Sequence, residues 1–165
     1  MPDSLNPETG SGNPDPNVAR RRWMAVLARA GAAELAGLLE VWGPAPVYRV
    51  LRGPESGLVM VRGRAGGTGA PFNLGEMTVT RCSVHIDREG HPEGLTGHAY
   101  VAGRDGARAE LAALVDALLQ DPAQTAALHA AVVAPLAAAQ DTRRRQVAGK
   151  AAGTQVKFFA MQTTR

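Results

Sequence analysis

The chain has 165 residues, enough for one domain that buries a core without disulfides or a structural metal. Hydrophobic residues make up 45% but aromatic ones only 4%, so the core must be built from alanine, leucine and valine, and burial is expected to be completed against partners. A single cysteine, Cys82, excludes an internal disulfide and a thiolate metal cluster. Against 18 basic residues stand 15 acidic ones. Asp3, Glu8 and Asp15 fall in the first fifteen residues, which hold no base, so the rest is more basic than the overall +3. Apart from Lys150 and Lys157 the bases are arginines, whose forked donors suit planar oxyanions. The N-terminus has no charged start followed by an apolar run, and no stretch reads as long enough to span a bilayer, which predicts a cytoplasmic protein with no membrane association.

Residues 1–16 are rich in Pro, Asn, Asp, Gly and Ser and read as a disordered tail. A single domain is expected over 17–165. Asn17 is the expected cap of a first helix, with Trp23, Val26, Leu27 and Ala30 at the 3.6-residue period. Gly31 interrupts it. A second helix presents Leu35, Leu38, Leu39 and Trp42 before Gly43 and Pro44 stop it.

Two β-rich runs follow, 47–52 and 57–64, with Gly53-Pro54-Glu55-Ser56-Gly57 between them as a hairpin loop. A third strand is expected over 76–87 and a fourth over 96–104, joined by a polar loop at 88–95. Asp105 can cap a helix with an apolar stripe of Leu111, Leu114, Val115, Leu118 and Leu119. Asp121 and Pro122 start the next helix, with Leu128 and Val132 inward and a kink or restart at Pro135. Arg143, Arg144 and Arg145 lie on its solvated continuation, which ends near 149–153, and 155–162 reads as a last strand. The order predicts an α+β fold, an antiparallel sheet of about four to five strands with helices packed on one face.

The central hairpin has two distinct faces. Thr80, Cys82, Val84 and Ile86 match Gly97, Ala99 and Val101 as the buried set. Pairing Val84 with Ala99 puts His85 opposite His98, Ser83 opposite Tyr100 and Arg81 opposite Ala102 on the outer face. A two-residue slip would keep these faces, whereas a one-residue slip would bury arginine. On this register Arg81 and Arg104 lie diagonally within mutual reach. The pair is expected to contact a carboxylate-rich patch on another chain or a phosphate, with Glu76 as the alternative, internal partner.

Arg64, Gly66, Gly67, Thr68 and Gly69 form a basic, glycine-rich segment whose freed N–H groups can cradle an anion. It lacks the Lys-Ser/Thr ending of a phosphate-binding P-loop, and a flexible connection reads equally from the residues. With Arg81, Tyr100 and Arg104 these are the candidate anion or partner contacts. His85 and His98 have no carboxylate or thiolate on their face, so no metal is assigned. No nucleophile-elbow context or carboxylate pair assigns catalytic residues. A single exposed aromatic, Tyr100, makes nucleic acid a poor partner, since stacking platforms need several.

The segment GGTGAPFNLGEMTVTRCSVHID, the strand end GHAYVAGRD and the helix AELAALVDALLQ resemble the G subunit of the bacterial carbon–phosphorus lyase core complex. The first-helix motif at 20–24 and the terminal V-FF run extend the similarity. The resemblance implies H, I and J subunits as partners and a shared reaction in which a phosphonate displaces adenine from the ribose of MgATP. The product then goes to the radical SAM J subunit, while the I subunit holds the nucleosidase chemistry. MgATP is then the substrate of the complex, with no cofactor bound by this chain alone. Arg108 stands where family members are expected to carry His, and the ending AMQTTR departs from the family's. The competing reading is a free-standing basic module that binds phosphate or nucleic acid.

Overall fold

A computed structural model describes residues 16–65 and 69–154. Helices α1 (Pro16–Leu27) and α2 (Ala32–Trp42) precede strands β1 (Arg49–Gly63), β2 (Phe72–Arg88) and β3 (His91–Ala102). Helix α3 (Gly106–Leu118) follows, then α4 (Pro122–Leu128), a π-helical turn (His129–Val133) and α5 (Ala134–Gly153). The α+β class stands, but the described sheet has three antiparallel strands in the order β1-β2-β3.

The two early strand runs are one continuous strand. Residues 53–57 do not turn the chain, and the register shifts between Val50 and Arg52 and between Arg52 and Glu55 absorb them. Among the described residues strand β1 lies at the sheet edge, where Pro54 has no ladder partner to deprive of an N–H. The expected loop at 88–95 is also mostly strand, because Gly90, at φ 82°, takes the left-handed conformation of a tight turn and pairing resumes at once, His91 against Arg88. The run at 155–162 lies outside the described residues. Helix α1 begins at Pro16, so Asn17 sits in its first turn and is not its cap.

The core lies between the sheet and α3. Thr80, Cys82, Val84, Ile86, Leu95, Ala99 and Val101 face α3 residues Ala109, Ala112, Ala113, Leu114, Val115, Ala117 and Leu118, and all are buried. Leu27, Leu35, Leu128, Val132 and Leu136 close the flanks, and among the described residues Trp23 is the single aromatic in the buried cluster. Side chains this small let the layers approach closely. At Gly97 an added Cβ would overlap the Ala113 carbonyl and the Ala117 backbone, so only glycine lets β3 pass beneath α3. Two helix starts follow the local pattern: Asp105 accepts from the Arg108 N–H at 3.0 Å and Asp121 from the Ala123 N–H at 2.9 Å.

One expectation on apolar length is corrected. The helical run Pro122–Gly153 spans 32 residues and is long and apolar enough to cross a membrane by length and composition. Its alanines supply that character. Leu128, Val132, Val133 and Leu136 on one side are packed into the core, and its second half bears Arg143, Arg144, Arg145 and Lys150.

Candidate functional site

The sheet face turned away from α3 carries the polar side chains. Along β2 and β3 the pairs are Arg81 with Tyr100, Ser83 with His98 and His85 with Thr96. This is the two-residue slip of the expected register, so every residue keeps its expected face while its partner changes. His85 and His98 are therefore diagonal, and each ring is engaged separately. His85 Nδ1 meets Thr96 Oγ1 at 3.0 Å and its Nε2 meets Asp87 at 3.1 Å, while His98 Nδ1 meets Ser83 Oγ at 2.9 Å.

Arg81 has an internal partner, and it is Glu55, not Glu76. Its Nη2 and Nε donate to Glu55 Oε2 at 2.8 and 3.1 Å, and Arg52 Nε donates to the same oxygen at 3.1 Å. The bonds from Arg81 and Arg52 lower the Glu55 pKa, and that carboxylate in turn raises Arg81's. Tyr100 lies beside them, 58% exposed. Glu55, Gly57, Val59, Val79, Arg81 and Tyr100 line one shallow groove.

Arg104 is not part of this cluster. It follows the end of β3, four residues beyond the Arg81 partner, so the expected diagonal contact is absent. It is exposed and makes no hydrogen bond or ion pair among the described residues. Arg64 is farther still. It lies nine residues along from Glu55, about 30 Å at strand rise, and its Nη1 donates to the Gly69 carbonyl at 3.1 Å. Gly66, Gly67 and Thr68 lie outside the described residues.

Three residues that local reading passed over hold the scaffold. Asp116, fully buried in the α3 stripe, accepts from Arg20 (2.6 and 3.2 Å), Trp23 Nε1 (2.8 Å) and the His98 N–H (2.9 Å). An acid inside an otherwise apolar helical run was its one sequence signal. Arg108 donates from Nη2 to the Ala102 carbonyl and reaches Asp105 at 3.6 Å, clasping the end of β3 to the first turn of α3. Tyr48 donates to Glu110 at 2.7 Å, and that bond with burial pushes its pKa up to about 12. Burial likewise raises the Cys82 thiol, which keeps it protonated and unreactive.

Among the described residues no three His, Cys, Asp or Glu side chains gather as a metal would require. The Ser83–His98 contact has no acid on the ring, because Asp116 accepts from the His98 backbone and not its imidazole. The arrangement suits binding: a polar sheet face with Tyr100 outward, continuous with the apolar β1–β2 extension.

A family model described as phosphonate metabolism protein PhnG matches residues 18–163. A protein of Rhizobium meliloti (strain 1021) named alpha-D-ribose 1-methylphosphonate 5-triphosphate synthase subunit PhnG is 46% identical over 151 residues, covering 89% of this chain and 91% of that protein.

Proposed function

This chain belongs to the phosphonate metabolism protein PhnG family, and from that premise we propose that it is a subunit of an alpha-D-ribose 1-methylphosphonate 5-triphosphate synthase within a carbon–phosphorus lyase core complex. It works in the cytoplasm with H and I subunits to transfer a phosphonate onto the ribose of MgATP, releasing adenine, and a J subunit consumes the product. MgATP is the substrate of the assembly, and the chain alone binds no cofactor.

The observation that carries this reading is the 46% identity, over nearly the whole of both chains, to a protein bearing that name. The use of the polar side chains favours a supporting role. Asp105, Arg108, Asp116 and Asp121 hold elements of the fold together, and Arg81 is held by Glu55. Tyr100 and Arg104, both exposed, are the outward contacts for a neighbouring subunit or a nucleotide phosphate, with Arg81 and the segment Arg64, Gly66, Gly67, Thr68 and Gly69 as further candidates.

Purified alone, the chain is expected neither to hydrolyse MgATP nor to cleave methylphosphonate. Mixed with the other subunits, it is expected to be required for adenine release from MgATP plus methylphosphonate, followed by chromatography. Turnover by the chain alone, or undiminished adenine release in its absence, would overturn the proposal.

A further inference from the structure

Strand β3 ends opposite Val79, and beyond that pair β1 and β2 continue as a two-stranded ribbon formed by residues 57–63 and 72–79. No helix covers it. Leu58 is 63% exposed, Met60 50%, Val59 39%, Met77 38%, Leu74 59% and Phe72 48%. The ladder pairs Leu58 with Thr78, Val59 with Met77, and Met60 with Glu76. Successive residues of a strand point to opposite faces, so Leu58 and Met60 lie on one face and Val59, with Met77, on the other.

A hairpin alone in water is marginal, and a contiguous apolar surface of this kind on a soluble protein marks an interface. The run 58–61 contains no charge and no proline, the usual guards of an edge strand. A two-fold contact between copies would cover one face of each ribbon and leave the other wet, whereas a cleft covers both. Charge narrows the occupant further. The segment 49–81 holds five arginines and two glutamates, and Arg49, Arg62 and Arg64 have no carboxylate partner among the described residues.

We propose that this ribbon inserts into an apolar, carboxylate-rimmed groove of another subunit. The proposal rests on the subunit reading above and adds to it the element that docks and the chemistry of the surface that receives it. Complementary charge around an apolar centre sets orientation and speeds encounter, while the buried side chains hold the complex.

The test pairs two variants with the remaining synthase subunits, co-expressed with an affinity tag. L58T/M60T makes one face polar and V59T/M77T the other, with threonine keeping the strand preference. Each variant is expected to keep the wild-type circular dichroism and to bind the tagged subunits at least roughly tenfold more weakly. R62E/R64E is expected to weaken binding most at low salt. If the wild-type chain itself fails to bind, the subunit reading falls, and this proposal with it. If the wild type binds and both threonine variants bind equally well, the subunit reading stands and the ribbon is not the docking element. Loss with one face alone would mean a flat surface and overturn the groove. A wild-type dimer by light scattering that the variants dissolve would make the occupant a second copy, overturning the proposal too. Should a variant unfold, amide exchange of residues 58–63 in the wild-type complex decides: slowing on assembly supports insertion, and no slowing overturns it.

Discussion

Asp116 takes a charge into the core and is matched there by four donors: two nitrogens of Arg20, the Trp23 indole and the His98 amide. Burying a lone carboxylate is costly, and removing a buried group's charge leaves its partners' donors and Arg20's cation unmatched. Asp116→Asn is therefore expected to destabilise the fold by roughly 3 kcal/mol, read from the denaturant midpoint. A loss below about 1 kcal/mol would show that the network is dispensable. Caps such as Asp105 and Asp121 were legible in the sequence because a cap is satisfied within three residues. Asp116 was not, because its side-chain partners lie 93 and 96 residues away and nothing local distinguishes Arg20 from Arg21 or Arg22. The same limit applies to the site. Arg81 and Tyr100 were placed on the outer face from alternation alone, but that Glu55 holds Arg81 depends on a register shift in β1 that no local pattern encodes.

At the scale of elements, alternation specifies faces and turns specify register. The outer and inner faces of β2 and β3 follow from period two, and both candidate registers respect them. Choosing between them needed the turn at Gly90, which is tighter than the loop its polar residues suggested. The seam between β3 and α3 gives a test of how closely the layers meet. Gly97→Ala places a methyl group against α3 backbone, which cannot rotate away, and is expected to cost about 3 kcal/mol or prevent folding. Gly149→Ala, in α5 with nothing near its Cβ, is expected to raise stability by about 0.5–1 kcal/mol. Equal midpoints for the two variants would contradict the close approach. The reading of 53–57 as a loop failed for a related reason: Gly and Pro punctuate a chain only where a ladder partner is lost, and an edge strand has one side free.

At the scale of the molecule, the described residues divide into a packed body and a bare extension, and these should differ in stability to local opening. In the isolated chain, amides of residues 58–63 are expected to exchange at least about a hundredfold faster than those of 95–101 and 109–119, by mass spectrometry. Comparable protection would mean that the ribbon is covered within the chain itself. The α+β class and the one-sided helix layer were legible because they depend on summed patterns, which tolerate errors at single strands. The Asp116 network also sets the order in which the protein can mature. Chains are made from the N-terminus, so Arg20 and Trp23 leave the ribosome long before the carboxylate that receives them, and the sheet is complete before the helix that covers it. No portion ending before residue 136 holds a finished core, so native structure is reached only late in synthesis, with the strands uncovered until α3 has been made. A nascent chain of this kind gains from having its receiving partner present while it is still being made.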